Sequence, residues 1–250
     1  MSNHTITHSD DQILVEPNID AIGAVIWLHG LGADGNDFLP VVEELNIPDG
    51  LRFVFPHAEV RPVTINGGAE MRAWYDIVSL SGARNHDQKG IMQSVDQAWA
   101  LVQRERERGI DAGRIVVAGF SQGGAIALQL ALRYPERLSG LIALSTYLLL
   151  EDRLAAEAHP ANADLPVFFG HGTADPMVPM QLGRMAADQV LAMGSPRALS
   201  QSVTLGIVSN TQMIMPASMR RFCMGKGTNR SFCKPQSRKA PTCATSFTLR

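Results

Sequence analysis

Gly119-Phe120-Ser121-Gln122-Gly123 places a hydroxyl between two glycines, each two residues away. This G-x-S-x-G spacing is the pattern of a nucleophile elbow, a strained strand-to-helix turn that lifts a serine above the end of a sheet. Such a turn presses together the residues two before and two after the serine, so side chains there would clash. The flanks fit. Residues 115–118 (IVVA) are apolar and β-branched, as in a buried strand. Residues 125–132 are rich in Ala and Leu, and Pro135 marks the helix end. The helix aims its N-terminal amides at the serine, where negative charge develops during acyl transfer. Ser121 is the candidate nucleophile. The plainer reading is a Gly-rich turn with an incidental serine.

A serine nucleophile needs an oxyanion hole, an acid and a base. Residues 24–28 (AVIWL) read as a central strand running into His29-Gly30-Leu31-Gly32-Ala33-Asp34-Gly35. A Gly-rich loop after such a strand supplies the second oxyanion donor. The hole is therefore assigned to the backbone N–H groups of Leu31 and Gln122. A phosphate cradle is the competing reading of this loop, but no Gly-Lys-Ser/Thr follows. His29 reads as a brace for the loop. Residues 166–170 (PVFFG) form a later strand that ends in His171-Gly172-Thr173-Ala174-Asp175-Pro176. The chain order Ser, Asp, His puts the acid on this loop, at Asp175. Its plainer role is a turn or helix cap. Residues 58–76 show little periodicity and carry Met71, Trp74 and Tyr75. A long loop of this kind suits one wall of an acyl pocket, with Trp74 as the candidate substrate contact. Trp74 and Tyr75 as plain core is an equal alternative.

The elements that must position these residues follow from pattern. Residues 12–15 are a weak first strand, 38–45 a short helix stopped before Pro48, and 51–55 a strand. Apolar residues at 91, 92, 95, 98, 99 and 102 predict a helix over 91–108, capped by Gly109. Its Arg104-Glu-Arg-Glu-Arg108 run reads as a solvated helix end. Residues 141–144 are another buried strand and 180–193 a helix. Strands alternating with helices predict an α/β protein with a mostly parallel sheet covered on both faces, the α/β-hydrolase architecture.

The segments LHGLGADGNDF (28–38), RPVTINGG with MRAWYDI (61–77), RIVVAGFSQGGAIALQLALRYP (114–135), SGLIALSTYL (139–148) and FGHGTADPMVP (169–179) resemble the carboxylesterase type II / acyl-protein thioesterase family, also called the phospholipase/carboxylesterase family. The resemblance covers residues 12–195, which read as one α/β-hydrolase domain. It implies hydrolysis of short- to medium-chain carboxylic esters or thioesters, that is, a small-molecule ester or acyl-thioester substrate and no cofactor or metal. It places Ser121 as nucleophile, Asp175 as triad acid, and Leu31 and Gln122 at the oxyanion hole. It also admits a homodimer.

The resemblance implies, in addition, a histidine about thirty residues after the acid, in a YPMGH-like segment after the last strand, and then a final helix. Here no histidine follows His171. All 24 acidic residues lie at or before Asp188, whereas 9 of the 22 basic residues and all 3 cysteines lie in residues 189–250. Residues 196–250 read as an atypical basic tail, with one edge strand over 203–208 and disorder beyond it. The C-terminal strand and helix of the family are thus atypical or missing. Three accounts of the absent base stand open: a tail translated out of frame, an authentic pseudo-enzyme that binds acyl ligands, or another histidine in the part.

Overall composition narrows the rest. A formal charge of -2 suggests neither nucleic acid nor an anionic membrane as partner. The tail's charges are scattered without stacking aromatics or an amphipathic helix. Single cysteines ten residues apart do not make zinc spacing. The first ten residues are polar, and the apolar run at 138–150 is too short to span a bilayer. These features predict no stable membrane insertion and a cytoplasmic protein.

Overall fold

The computed structural model describes residues 4–44, 48–78 and 86–193 in full, and the backbone of 203–208, 212–214 and 246–248. Its centre is an eight-stranded sheet. In chain order the strands are β1 (His4–His8), β2 (Gln12–Pro17), β3 (Gly23–Leu28), β4 (Leu51–Pro56), a hairpin outside the sheet, β5 (Val60–Val63) and β6 (Ala69–Arg72), then β7 (Ile115–Phe120), β8 (Gly140–Leu144), β9 (Val167–Gly172) and β10 (Val203–Val208). The spatial order is β1-β2-β4-β3-β7-β8-β9-β10. β1 and β2 run antiparallel to their neighbours, and the other six strands are parallel. A second small ladder pairs β11 (Gln212–Ile214) with β12 (Ser246–Thr248). The remainder of the tail reading lies outside the described residues.

Strand composition explains this order. β3, β4 and β8 are buried along their whole length, as parallel strands covered on both faces must be. Alternate residues feed two cores. Ala24, Ile26, Leu28, Ile115, Val117, Leu141, Ala143, Val167 and Phe169 meet helices α2 (Gln88–Glu107), α3 (Gln122–Arg133) and α5 (Met180–Met193). Val25, Trp27, Val116, Ala118, Ile142 and Phe168 face the other side, with Phe38 and Val41. α3 crosses the middle of the first face, and every residue in it is buried. β1 is the opposite case. It is polar and mostly exposed because it needs only one partner, at the sheet's edge.

Several expectations change. The single helix over 38–45 is instead a 3-10 turn, Gly35–Phe38, followed by the short α1 (Val41–Glu44), with Pro40 between them. Proline lacks the N–H that would carry a helix through that point. The presumed loop 58–76 contains the β5–β6 hairpin, closed where Asp76 accepts hydrogen bonds from the Thr64 N–H (2.7 Å) and hydroxyl (2.6 Å). Strands as short and exposed as VRPV and AEMR carry no apolar period to read. The short helix α4 (Glu151–Glu157) follows β8. Among the described residues no helix is long and apolar enough to cross a membrane.

The charged end of α2 is not merely solvated. Glu105 is fully buried and pairs with Arg52 of β4 at 2.7 Å and with Arg108 at 3.3 Å. Arg52 also holds Glu16 of β2 at 2.7 Å, and Arg108 reaches the same carboxylate. The network clamps the helix end onto two strands. Burial pushes the Glu16 carboxyl up, but hydrogen bonds and charges from Arg108 and Arg52 outweigh it and leave it below its ordinary 4.5. Its stabilising contribution is therefore complete above 4.5 and lost as pH falls through the lower folded value. Removing one member of a buried pair strands the other charge. Glu105→Gln should destabilise the fold by about 3 kcal/mol, the low end because Arg52 keeps Glu16. Urea unfolding checks this, and an unchanged midpoint would contradict it.

Candidate active site

β7 delivers Ser121 to the carboxyl end of the parallel sheet, where α3 begins. Register places β3, β7, β8 and β9 so that they end together: Leu28 faces Gly119, Gly119 faces Ala143, and Leu144 faces Gly170. The loops after these strands therefore share one rim, the usual ligand crevice of open α/β sheets. Ser121 has φ 51 and ψ -117, a conformation rare for a residue with a side chain. Its N–H donates to Leu144 O at 2.8 Å, and its carbonyl accepts from Thr146 Oγ1 at 2.7 Å and Ala125 N at 3.1 Å. The flanking glycines are obligatory. A Cβ on Gly119 would lie 2.4 Å from the Gly123 carbonyl oxygen. A Cβ on Gly123 would lie 2.4 Å from both the Leu28 and His29 carbonyl oxygens. The elbow is thus seated directly on the end of β3.

The loop after β3 runs beside the serine. A Cβ on Gly30 would stand 3.7 Å from that of Ser121. Leu31 follows, half-buried. Gly32, at φ 75, donates its N–H to Arg72 O at 2.9 Å. Gln122 is the first residue of α3, where backbone N–H groups lack intrahelical acceptors. His29 braces this loop. Its Nε2 accepts the Ala58 N–H at 3.0 Å, so its proton sits on Nδ1, which donates to Gly30 O at 2.7 Å. Burial pulls its pKa down to about 4, so it is neutral at pH 7.

Trp74 is buried, 2% exposed, rather than open at the rim. Its ring lies 5.1 Å from that of His29, and its indole N–H donates to His29 O at 2.9 Å. The Gln122 side chain, fully buried, accepts the Trp74 N–H at 2.8 Å and donates to Tyr75 O at 2.7 Å. Sequence reading did not anticipate this bridge. The available signal was a glutamine at the first position of a mostly apolar helix. Nearby, the Tyr75 and Tyr147 hydroxyls meet at 2.7 Å. Burial raises both pKa values, so neither is a base at neutral pH.

Asp175 follows β9 on the same rim. Its Oδ1 accepts from Met177 N at 2.9 Å and Val178 N at 3.0 Å, a turn-forming pattern, and Oδ2 lies 3.8 Å from His171 Nε2. His171 is sealed beneath the loop. Its Nε2 donates to Val178 O at 2.8 Å, and Gly183 of α5 covers the ring so closely that a Cβ there would overlap Nδ1. His57, His159, His4 and His8 are also placed elsewhere. His57 Nδ1 accepts the Gly35 N–H at 3.0 Å, and His159 Nδ1 accepts Ala161 N at 3.2 Å. His4 and His8 lie on β1, at the far edge of the sheet, and His86 is exposed just before α2. No hydrogen bond or ion pair among the described residues joins a histidine to Ser121. Among those residues, no group of three His, Cys, Asp or Glu is set to hold a metal ion.

Residues 10–218 match the family model described as phospholipase/carboxylesterase. The match runs past residue 195 and takes in β10. The chain is 42% identical over 181 residues to acyl-protein thioesterase 1 of Neurospora crassa, covering 68% of this chain and 74% of that protein. It is 36% identical over 195 residues to acyl-protein thioesterase 1 of Cryptococcus neoformans, covering 76% and 82%. Among solved structures it is similar to acyl-protein thioesterase 2 of Zea mays, with a TM-score of 0.69 and 28% identity over 84% of this chain and 94% of that one. It is also similar to SOBER1 of Arabidopsis thaliana, with a TM-score of 0.71 and 25% identity over 81% and 98%.

His29 provides a pH test. Its folded pKa lies near 4, below the ordinary 6.5, so between these values the unfolded chain binds the extra proton. Stability should therefore be complete above 6.5 and fall by roughly 3 kcal/mol as pH drops to 4. Unfolding of wild type and His29→Gln across this range isolates the effect. Parallel pH profiles would contradict it.

Proposed function

The chain belongs to the phospholipase/carboxylesterase family, and we propose that it is built to cleave short- to medium-chain carboxylic esters or thioesters through an acyl-enzyme on Ser121. The observation that carries this reading is the elbow: a serine held at φ 51 beside the Gly30–Leu31 loop and at the start of α3. Ser121 Oγ attacks the carbonyl carbon, and the Leu31 and Gln122 amides receive the negative oxygen. Collapse expels the alcohol or thiol, and water then attacks the ester on Ser121 to free the acid. The names of the relatives favour acyl thioesters as one substrate class. Trp74, being buried, supports the site from behind rather than touching the acyl chain. Asp175 is the acid that would orient a base. The same proposal places the protein in the cytoplasm.

A second reading has its own observation. Six of the seven histidines are either hydrogen-bonded elsewhere or carried on the edge strand β1, and no hydrogen bond or ion pair among the described residues joins the seventh, His86, to Ser121. Without a base the serine keeps its proton and is a weak nucleophile. Such a chain would bind acyl ligands and turn over little.

Hydrolysis of p-nitrophenyl butyrate separates the readings. Triad members act as a unit, so a chain lacking its base should lose as much as one lacking its serine. Wild type and Ser121→Ala should therefore show equal rates within about twofold. Added imidazole, a diffusible base, should raise the wild-type rate above that of Ser121→Ala. A large difference without imidazole would mean that a base on this chain does reach Ser121. No Ser121-dependent gain at any imidazole concentration, with ligand binding retained, would leave the ligand-binding reading.

A further inference from the structure

The segment leaving β6 touches both halves of the proposed oxyanion hole. Arg72 O takes the Gly32 N–H at 2.9 Å, one residue past Leu31. The Trp74 indole N–H holds the His29 carbonyl at 2.9 Å, two residues before Leu31. The same Trp74 gives its backbone N–H to Gln122 Oε1 at 2.8 Å, and Tyr75 O takes Gln122 Nε2–H at 2.7 Å. Ser94 of α2 binds the remaining polar group, the Trp74 carbonyl. Four residues, 72–75, thus tie the loop that carries one donor to the residue that carries the other. The glutamine spends both ends of its amide on this strap while its backbone N–H opens α3.

We infer that the Arg72–Tyr75 segment, gripped by the Gln122 side chain and the Trp74 indole N–H, is the positioning device that fixes the Leu31 and Gln122 donors relative to each other. This rests on the oxyanion assignment above. Stabilisation of a developing oxyanion requires donors set in place beforehand, because reorganisation during the reaction would forfeit the gain. Two donors on separate elements need a rigid tie, and buried, satisfied polar bonds supply one. The strap lies behind the site: Trp74 and Gln122 are both almost fully buried. Neither side chain needs to touch substrate, so both are positioning groups.

The test uses the full chain and two substitutions. Gln122→Met, close in volume, removes both amide bonds while keeping the backbone donor, and Trp74→Phe removes the indole N–H together with part of the ring. Hydrogen exchange by NMR reads the Gly32 amide in both variants and the Trp74 indole N–H in Gln122→Met. The Val117 amide, in β7, serves as the monitor of global opening. Gln122 makes no side-chain bond to residues 29–32. Even so, Gln122→Met should speed exchange at Gly32 and at the Trp74 indole about tenfold, the scale of one lost hydrogen bond, with Val117 unchanged. Both variants should also slow phosphonylation of Ser121 by a fluorophosphonate, measured with imidazole present, by about tenfold. Gly32 exchange unchanged within about twofold in Gln122→Met would overturn the inference. So would a rise matched equally at Val117, or normal phosphonylation in both variants. If wild-type Ser121 resists phosphonylation altogether, the hydrolase reading fails, and the exchange result alone still decides whether the strap links the two elements.

Discussion

The fold converges on one constraint: Ser121 must hold φ 51 at the end of β7. A residue with a side chain does not rest there unaided. The conformation persists because its surroundings over-determine it. Leu144 fixes the Ser121 N–H and Thr146 fixes its carbonyl. Gly119 and Gly123 press the turn against itself and against the carbonyls that end β3. Any side chain at either glycine would push the elbow off the sheet. The parallel register then decides what else shares the rim, since β3, β8 and β9 end level with β7.

Two polar systems, one partly and one almost fully buried, do different work around this centre. The Arg52–Glu105–Glu16–Arg108 network lies at the far end of α2 and holds that helix against β2 and β4. The Gln122–Trp74–His29 system lies against the elbow. It is mostly neutral, because burial keeps His29 unprotonated at pH 7. Its fixed dipoles tie the loop to the elbow without placing a charge beside the proposed oxyanion position. α2 belongs to both systems, through Glu105 near one end and Ser94 near the other.

Much of this was legible in the sequence. G-x-S-x-G between a β-branched run and an Ala/Leu helix identifies the elbow because only glycine tolerates the contacts seen at 119 and 123. Long apolar strands and the helix over 180–193 were equally plain. What escaped was whatever depends on long-range pairing. Glu105 looks solvated in a run of alternating charges, and its burial depends on Arg52, 53 residues away. β1 and the β5–β6 hairpin have no apolar period, because exposed short strands need none. Trp74 reads equally as pocket wall or as core, and its bond to the carbonyl of His29, 45 residues earlier, has no trace in the local sequence. The loss of histidine after His171 was visible at once. The fold adds that all of the others but His86 are hydrogen-bonded elsewhere or lie on the edge strand β1.

The central claim is that Ser121 Oγ is the atom that takes the acyl group. Trapping that intermediate tests it most directly. The chain is incubated with p-nitrophenyl butyrate and imidazole, quenched in acid, digested and examined by mass spectrometry. The expected result is a butyryl group on the peptide carrying Ser121, absent from Ser121→Ala. A chain that stays unmodified, or one acylated at other residues to the same extent in both proteins, would contradict it.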